Sequence, residues 1–262
     1  MSNFLQNKTA IVTGGSGTIG KAIAKALLTS GCNVFITGRS QERLDAAVTD
    51  LKSGNNANHG DIHAFRGDVL NEDDVSHMVQ EAERLHGSLD LLINNAGTVI
   101  PGPTHEMSVE DFDYVMRVNV TGPFLCSKVA INTMKSRGKG GRIINIGSLS
   151  ASSPRPNQAP YTTSKFALLG LTNSLALDCR QDNIAVGIIH PGNVMSNLLT
   201  PEEIESRGAV EGFITPEAVA NSVRAMASLP YDANVLEMTI LPTKQPFLFL
   251  GGGNEGFVNT TP

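Results

Sequence analysis

The sequence lacks three features that would have assigned it to large classes of protein. It has no apolar segment approaching the roughly 18 to 20 residues that span a bilayer. Residues 1–8 lack the basic start and apolar run of a signal peptide. There is also no run of Lys and Arg, and the net charge is -5 at pH 7. We therefore expect a cytoplasmic protein whose partners are neither membranes nor nucleic acids.

Cysteine is scarce, and histidine shows no pattern. Cys32, Cys126 and Cys179 are widely separated and form no C-x-x-C pair. Their odd number and spacing predict reduced thiols that pack as small apolar residues, in keeping with a cytosol-like compartment. The six histidines show no metal-ligand spacing on any predicted helix, so we expect no metal site.

What the chain does contain is a regular alternation of strand and helix patterns. Its 262 residues, 40% of them hydrophobic, are enough for one large α/β domain. No repeat, linker or composition break interrupts residues 1–262. Seven short apolar runs alternate with six helical patterns, which predicts a Rossmann-type, doubly wound parallel sheet with helices on both faces. The strands are predicted at 9–13, 33–37, 61–66, 89–94, 142–146, 184–190 and 235–241.

Two other segments have distinctive patterns. A long helix is predicted over 109–137, with a disturbance near Asn119 because Gly122-Pro123 follows it. Residues 193–213 have little periodicity and are a candidate lid over a substrate. Helices are also predicted at about 41–52, 72–86 and 216–228, from Ala22 towards Gly31, and from Tyr161 to about Gln181.

The first predicted strand leads into the glycine-rich stretch Gly14-Gly15-Ser16-Gly17-Thr18-Ile19-Gly20. Strand, glycine turn and helix form the context of a dinucleotide-binding fingerprint. In that context backbone N–H groups face the pyrophosphate, and the missing Cβ atoms let it approach. A glycine-rich turn without a ligand explains this stretch, taken alone, equally well.

Tyr161 and Lys165 lie four residues apart, on one face of a predicted helix. A free phenol has a pKa of about 10 and exchanges protons poorly at neutral pH. A nearby ammonium favours the phenolate and lowers that pKa, so Tyr161 is a candidate acid/base and Lys165 its tuner. Such a pair is common on exposed helices, so its value as evidence for a catalytic site depends on the other motifs.

Taken together, these motifs resemble the short-chain dehydrogenase/reductase family over nearly the whole chain. Ser148 precedes Tyr161 by thirteen residues, which is also the family's spacing. The other matching pieces are Thr13-Gly14 to Gly20, Asp68, Asn94-Asn95-Ala96-Gly97, Asn119, Lys165 and Pro191-Gly192-x-x-x-Ser196.

The glycine turn departs from the family pattern at one position. The family has a middle glycine where this chain has Thr18, and Gly17 stands one place earlier. Either the turn shifts so that Gly17 serves, or Thr18 is tolerated with its hydroxyl towards a phosphate.

The resemblance implies catalytic roles for four residues. Tyr161 would exchange a proton with the substrate oxygen, and Ser148 would hydrogen-bond that oxygen as negative charge develops there. Lys165 would lower the phenol pKa and bind the nicotinamide ribose, and Asn119 would hold a water linking Lys165 to solvent.

The resemblance also implies a dinucleotide cofactor and no metal. Asp68 and Val69 would contact the adenine, the residues after the fourth strand would form the central wall of the site, and those after the sixth would hold the nicotinamide. With Arg39 and Ser40, which follow from the end of the second strand, the candidate cofactor-binding residues are Gly14, Ser16, Gly17, Thr18, Ile19, Gly20, Arg39, Ser40, Asp68, Val69, Asn95, Ala96, Gly97, Tyr161, Lys165, Pro191, Gly192, Val194 and Ser196.

The choice between NAD and NADP depends on the end of the second strand. In dinucleotide folds an acidic residue roughly 20 residues past the fingerprint binds the ribose 2′-OH. Here no Asp or Glu occurs from Gly20 until Glu42, and Arg39 lies at the corresponding place. Its guanidinium suits a 2′-phosphate, and Ser40 adds a hydroxyl. A solvated arginine at a helix start is the alternative; the missing carboxylate favours NADP(H).

The leading functional hypothesis is an NADP(H)-dependent oxidoreductase that interconverts a small ketone or aldehyde and the corresponding alcohol. A 3-oxoacyl thioester reductase is the alternative among enzymes, and it would need a basic patch for an acyl carrier. Residues 193–213 offer only Arg207 against four glutamates. A catalytically silent dinucleotide-binding regulator is the alternative from another class, although such a protein has no need for an intact Ser148, Tyr161 and Lys165.

We also expect a homo-oligomer, a tetramer or a dimer, as in the family. The helices after the fourth and fifth strands are apolar around most of their circumference, which indicates that an outer face is buried in an interface. The apolar residues concerned are Val115, Val118, Val120, Phe124 and Leu125 on one helix, and Phe166, Leu168, Leu169 and Leu171 on the other.

Overall fold

A computed structural model describes residues 4–53, 60–196, 199 and 201–247, without the side chains of residues 203, 206 and 207. The described residues form one seven-stranded sheet in which all neighbouring strands are parallel. The strand order is β3-β2-β1-β4-β5-β6-β7. The strands are β1 Thr9–Thr13, β2 Asn33–Gly38, β3 Ile62–Arg66, β4 Leu91–Asn94, β5 Gly141–Ile146, β6 Ile184–Pro191 and β7 Glu237–Ile240.

This architecture confirms the predicted Rossmann-type, single-domain fold. The strand order reverses at β1, which pairs with β2 on one side and with β4 on the other. In open parallel sheets, ligands bind at such a reversal, outside the carboxyl ends of the strands.

Helices cover both faces of the sheet, and the period of two along each strand divides its side chains between them. The helices are α1 Thr18–Leu28, α2 Gln41–Lys52, α3 Glu72–His86, α4 Val109–Met116, α5 Gly122–Arg137, α6 Ala159–Asp178, α7 Pro201–Val210 and α8 Pro216–Ala227. Ala10 and Val12 of β1 pack in the core formed with α1, α2 and α8. Ile11, between them, packs in the opposite core, formed with α3, α5 and the end of α6.

The predicted long helix over 109–137 is interrupted where a disturbance was expected. A π-helical segment, Arg117–Thr121, joins α4 to α5 and contains Asn119. Pro123 follows in the first turn of α5. Because proline has no N–H, the carbonyl of Asn119, four residues earlier, lacks its α-helical donor. The break therefore follows from the sequence, although its π-helical form could not be read from it.

Segment 193–213, where the sequence shows little periodicity and no helix was predicted, contains α7. Residues 197, 198 and 200 of the predicted lid lie outside the described part of the chain. Smaller differences occur at element ends, where hydrogen bonding varies most. β4 begins at Leu91 rather than at 89, β7 is shorter than 235–241, and α6 ends before a 3₁₀ turn at Arg180–Asp182.

The helices that the structure describes include none that is both long and apolar enough to cross a membrane.

Candidate active site

The loops that follow β1 to β6 meet at one edge of the sheet, because the strands are parallel. These loops and the first turn of α1 carry most of the predicted site residues. Asn119 lies in the π-helical segment, and Tyr161 and Lys165 lie on α6. The loop residues are Gly14, Ser16 and Gly17 after β1, Arg39 and Ser40 after β2, Asp68 and Val69 after β3, Asn95, Ala96 and Gly97 after β4, Ser148 after β5, and Gly192, Val194 and Ser196 after Pro191 of β6.

Two glycines shape the turn after β1. Gly14 has φ +62°, a conformation that favours glycine. A Cβ added at Gly20 would lie 2.4 Å from the carbonyl oxygen of Gly14, so α1 could not start so close to the turn. Gly17 is different: it has an ordinary φ of -80°, and its nearest neighbour would be 3.3 Å from a Cβ. The departure from the family pattern therefore leaves the backbone path unstrained, with Gly17 as N-cap and Thr18 as the first residue of α1.

The start of α1 has the donors that a pyrophosphate needs. Its N-cap, Gly17, has no side chain that could satisfy the N–H groups of the first turn, and no acidic residue lies in that turn. Free N–H groups and the positive end of the helix dipole favour an anion there. The residues present, including Thr18 and Ile19, thus fit the phosphates of a dinucleotide.

Asn95 and Thr13 tie this turn to the loop after β4. The Thr13 hydroxyl accepts hydrogen bonds from the N–H groups of Asn95 and Ala96, both at 3.0 Å. The Asn95 side chain donates to the carbonyl oxygens of Thr13, at 2.9 Å, and Gly14, at 3.2 Å. The Asn95 amide is therefore a positioning group that fixes the turn.

Asn119 uses both ends of its buried side chain to hold the next loop against α6. Its Oδ1 accepts from the N–H of Thr98 at 2.8 Å, and its Nδ2 donates to the Thr98 carbonyl at 2.9 Å. The same Nδ2 donates to the hydroxyl of Ser164 at 2.9 Å, beside Lys165 in the sequence. A Cβ added at Gly97 would lie 3.3 Å from Asn119 Oδ1 and 4.0 Å from Lys165 Nζ, which shows how closely these groups meet.

Lys165 is buried beside the ring of Tyr161. Its Nζ lies 5.4 Å from the centre of that ring and donates to the carbonyl oxygen of Ile146, the last residue of β5, at 2.9 Å. Burial lowers the pKa of the Lys165 ammonium to about 8, since an apolar environment disfavours the charged form. At neutral pH most of this lysine is still protonated.

The phenol of Tyr161 differs from the sequence-based expectation. Burial raises its pKa above the ordinary value, whereas a hydrogen-bonding interaction with the Ser148 side chain acts in the opposite direction and is weaker. The direction is opposite to the lowering by Lys165 that the sequence predicted, and the Lys165 ammonium donates to the backbone of Ile146. Tyr161 thus holds its proton firmly at neutral pH.

Ser148 is fixed by His190 of β6, a residue that lies outside the predicted catalytic set. His190 Nδ1 lies 2.9 Å from the Ser148 carbonyl oxygen and 3.3 Å from its nitrogen. Burial lowers the pKa of this imidazole, so the neutral form predominates. The Ser148 hydroxyl oxygen accepts from the N–H of Ser150 at 3.1 Å, which leaves the hydroxyl proton available for donation. The one sequence signal was the place of His190, directly before Pro191-Gly192.

Arg39 lies exposed at the end of β2, as predicted. Its Nη1 donates to the Tyr114 hydroxyl at 3.0 Å, and this hydrogen bond is the main reason that the pKa of the guanidinium is raised. A Cβ added at Gly38 would lie 3.5 Å from the Ser16 hydroxyl, so the glycine turn adjoins this strand end. The Ser40 hydroxyl instead caps α2 by accepting from the N–H of Arg43.

Asp68 and Val69 form the next part of the edge. The Asp68 carboxylate accepts from the N–H of Leu70 at 3.0 Å. The backbone N–H of Asp68 donates to the carboxylate of Asp74 at 2.8 Å. The cap of α3 is Asn71, so Asp68 is not a helix-start residue. Val69 packs against the start of α5, where a Cβ at Gly122 would lie 2.9 Å from it.

A buried polar cluster that the sequence did not reveal closes the base of segment 193–213. Arg155 Nη2 donates to Asn193 Oδ1 at 2.9 Å and to Glu211 Oε2 at 2.7 Å. Asn193 Nδ2 donates to the same carboxylate at 2.7 Å, and the Asn193 N–H donates to Gln245 Oε1 at 2.8 Å. The cluster joins the loop after β5, the end of β6, the segment after α7 and the chain after β7. Val194 adds a parallel bridge to Ile214.

The fold and these residues define a dinucleotide-dependent oxidoreductase of the α/β class, and the comparisons identify its family. A family model described as "short chain dehydrogenase" matches residues 8–206. The chain therefore belongs to the short-chain dehydrogenase/reductase family and is an oxidoreductase, for which the family implies NAD or NADP as cofactor.

Similar proteins carry several different names. "Dehydrogenase/reductase SDR family member 4" of Bos taurus is 37% identical, with 86% of this chain and 82% of that protein covered. A "3-oxoacyl-[acyl-carrier-protein] reductase" of Synechocystis sp. is 32% identical, with 90% and 95% covered. The structure of a short-chain type dehydrogenase/reductase from Mycobacterium ulcerans has a TM-score of 0.83 at 27% identity, with 90% of this chain and 88% of that chain covered.

Proposed function

We propose that this protein is an NADP(H)-dependent carbonyl reductase that interconverts a small ketone or aldehyde and the corresponding secondary or primary alcohol. The observation that carries this proposal is the meeting of Ser148, Tyr161 and a buried Lys165 at the carboxyl edge of the sheet. A proton donor, a hydrogen-bond donor and a fixed positive charge in one place match the needs of a carbonyl oxygen that gains negative charge.

In the proposed reaction, NADP(H) supplies or accepts the hydride when it is bound. Tyr161 gives its phenolic proton to the substrate oxygen in the reducing direction and takes it back in the oxidising direction. Its raised pKa keeps that proton in place at neutral pH. The Ser148 hydroxyl donates a hydrogen bond to the same oxygen, and His190 holds the Ser148 backbone in position.

Lys165 acts in this scheme through its charge. Its ammonium lies near the ring of Tyr161, where it stabilises the phenolate left by proton transfer. It also binds the nicotinamide ribose, and Asn119 holds the neighbouring loop and a water that relays protons to solvent. The carbonyl oxygen of Asn119, freed by Pro123 from its α-helical partner, is the group that we assign to that water.

The remaining predicted residues bind the other parts of the cofactor in this proposal. Gly14, Ser16, Gly17, Thr18, Ile19 and Gly20 hold the pyrophosphate; Asp68 and Val69 contact the adenine; Asn95, Ala96 and Gly97 form the central wall; and Pro191, Gly192, Val194 and Ser196 hold the nicotinamide end.

The preference for NADP(H) is supported by Arg39. This exposed guanidinium is held at the end of β2 by Tyr114, next to Ser16, and no carboxylate occurs between Gly20 and Glu42. A guanidinium, with its positive charge and several N–H donors, suits a 2′-phosphate, whereas NAD-binding proteins of this fold have an acidic side chain there. Ser40 contributes through its hydroxyl or its place at the start of α2.

The test is cofactor affinity in an Arg39→Ala variant. We expect NADPH to bind roughly 10- to 150-fold more weakly, since a charge-assisted hydrogen bond contributes about 1.5–3 kcal/mol, while NADH binding changes little. Arg43→Ala, which removes an exposed arginine from α2, is the matched control. If wild-type protein used both cofactors equally, or if Arg39→Ala weakened both equally, Arg39 would not select the cofactor.

Two other functions remain as alternatives. A 3-oxoacyl thioester reductase shares the catalytic set, and three of the similar proteins are named 3-oxoacyl-[acyl-carrier-protein] reductase. The predominance of glutamate over 193–213 speaks against an acidic acyl carrier at this entrance. A silent dinucleotide-binding regulator would bind NADPH without turnover. Consumption of NADPH with a panel of ketones, aldehydes and a 3-oxoacyl thioester separates the three.

We further propose that 193–213 is a lid over the substrate. It connects the end of β6 to α8, and the Arg155–Glu211 pair fixes its base. We also propose a cytoplasmic location, which is supported by three cysteines that are buried and form no disulfide.

A further inference from the structure

A group of three metal-ligating side chains lies away from the candidate active site. His63 is the second residue of β3, Asp61 precedes that strand, and His86 is the last residue of α3. Strands begin, and the helices that precede them end, at the amino edge of a parallel sheet. The group therefore lies on the opposite edge from the loops that hold the catalytic residues.

The ligand atoms of this group converge. The Nε2 atoms of His63 and His86 are 3.1 Å apart, and one ligand atom from each of the three residues lies within 4.8 Å of the others. Two neutral imidazoles can share a hydrogen bond at this distance. Two imidazoles on one metal ion also approach this closely: with Zn–N bonds of about 2.0–2.1 Å, this separation corresponds to an N–Zn–N angle of roughly 95–102°.

We propose that Asp61, His63 and His86 form a binding site for a divalent transition-metal ion of the Zn²⁺, Ni²⁺ or Cu²⁺ type. Imidazole nitrogen suits these ions, and the carboxylate adds negative charge. Mg²⁺ and Ca²⁺ prefer oxygen ligands and would not bind here. Solvent can complete the coordination, because Asp61 is exposed and the two histidines are only partly buried.

Packing against one aromatic ring positions both imidazoles. Phe35 of β2 is buried and stacks on His63, with ring centres 4.8 Å apart and planes at 20°. The His86 ring meets the same phenylalanine edge-on, at 5.8 Å and 77°. Because His63 is in register with Phe35 in the sheet, its backbone is also fixed. Ligands already held in place lose little freedom when an ion binds, and this favours affinity.

A metal ion binds the neutral form of an imidazole, so acid should weaken metal binding as the two histidines take up protons.

The experiment is a titration of the tag-free full chain with ZnCl₂ and, separately, NiCl₂ by isothermal calorimetry. We expect one ion per chain. Loss of a group that hydrogen-bonds to a metal ligand already costs about 10–100-fold in metal affinity, so removal of a direct ligand in His86→Ala or His63→Ala should cost at least about 100-fold. Asp61→Asn should weaken binding less. His77→Ala, which removes an exposed histidine from the same helix, is the matched control and should bind as wild type does.

A second measurement keeps the test valid should an alanine variant misfold. The spectrum of Cu²⁺ bound to wild-type protein in electron paramagnetic resonance should show coupling to two imidazole nitrogens, and His86→Gln should reduce this to one. The proposal is wrong if wild-type protein binds no Zn²⁺, Ni²⁺ or Cu²⁺ at micromolar concentration, or if His86→Ala and His77→Ala bind equally. In that case the two imidazoles share only a hydrogen bond. The proposed reductase function does not depend on either outcome.

Discussion

Tyr161 is the residue on which the proposed chemistry depends most directly. A Tyr161→Phe variant keeps the ring and its packing but loses the transferable proton. We expect turnover of NADPH with a carbonyl substrate to fall by about 10²–10⁴-fold, the usual contribution of a positioned general acid. The affinity for NADPH, measured by fluorescence, should stay nearly unchanged. A variant that retained more than half of the wild-type kcat would exclude Tyr161 as the proton donor.

Burial of the Lys165 ammonium lowers the free energy of unfolding, although the residue is needed for the proposed function. Its pKa is lowered to about 8 by burial, so the folded protein binds this proton more weakly than the unfolded chain does. The cost is fully present below pH 8 and disappears as pH rises towards the ordinary lysine pKa of about 10.4. A Lys165→Met variant should therefore be inactive and yet more stable than wild type at pH 7, by about 1–3 kcal/mol.

This prediction is checked by urea unfolding at pH 7 and pH 10. The advantage of Lys165→Met should shrink at the higher pH, where the folded lysine is neutral and the unfolded lysine, with a pKa of about 10.4, has begun to lose its proton. Lys139→Met removes an exposed lysine and serves as the control, with little change expected. Equal stability of Lys165→Met and wild type at pH 7 would contradict the assigned burial cost.

For individual residues, the sequence revealed which of them are functional better than it revealed their environments. Ser148, Tyr161 and Lys165 could be found because their spacing is short and characteristic. The raised pKa of Tyr161 could not be predicted, since it depends on the burial of the phenol in the folded protein. Nor could the contact of His190 with Ser148, which joins residues 42 positions apart.

Among the elements, strands and amphipathic helices were predictable because their periodicity reports which face is buried. The π-helical segment was predictable as a break, because Pro123 withholds an N–H from Asn119. α7 was not predicted: of its side chains that the structure describes, both Ile204 and Val210 are exposed, so no apolar stripe marks the helix.

The ion pair at the base of segment 193–213 can be tested by mutation. Arg155 and Glu211 form an ion pair at 2.7 Å, with side chains 11% and 9% exposed. Glu211→Gln removes the charge and retains the size, leaving Arg155 with a weaker partner. Since loss of a hydrogen bond to a charged group costs about 1.5–3 kcal/mol, we expect a lower melting temperature and a less ordered segment 193–213.

The expected kinetic result is a raised KM for the carbonyl substrate with little change in NADPH affinity, because the pair touches the lid and not the phosphate-binding turn. Glu205→Gln removes an exposed charge from α7 and controls for net charge. If both variants changed KM equally, the effect would come from charge at the entrance, and the Arg155–Glu211 pair would not be a positioning device.

For the molecule as a whole, the alternation of strands and helices predicted a single parallel sheet, and connection rules limited its possible topologies. It could not reveal pairs that are brought together only by the completed fold. Arg155 meets Glu211 across 56 positions, and His63 meets His86 across 23. No periodicity of the sequence marks either pair. The Arg155–Glu211 pair and the proposed metal site therefore became visible only in three dimensions.

Apolar residues on the helices after β4 and β5 motivate the expectation of a homo-oligomer. The sequence pattern suggested that these helices have apolar outer faces. In the structure, some of their apolar residues are buried within the chain and others are exposed. Val115 and Leu168 are buried within the chain, whereas Phe124 of α5 and Phe166 of α6 are 45% and 47% exposed. Leu177 of α6 is also exposed, at 62%. Burying a side chain of this kind contributes about 1.5–3 kcal/mol, so pairing of these faces between copies would favour association.

We therefore expect the wild-type protein to be a dimer or tetramer at micromolar concentration when measured by multi-angle light scattering. Phe166→Glu, and more strongly Phe124→Glu combined with it, should shift the protein towards monomer, because a charge would have to be buried without a partner. Leu85→Glu changes a similarly exposed apolar side chain on α3 and should leave the assembly intact. A monomeric wild type would rule out the interface, and an equal effect of Leu85→Glu would place it elsewhere on the surface.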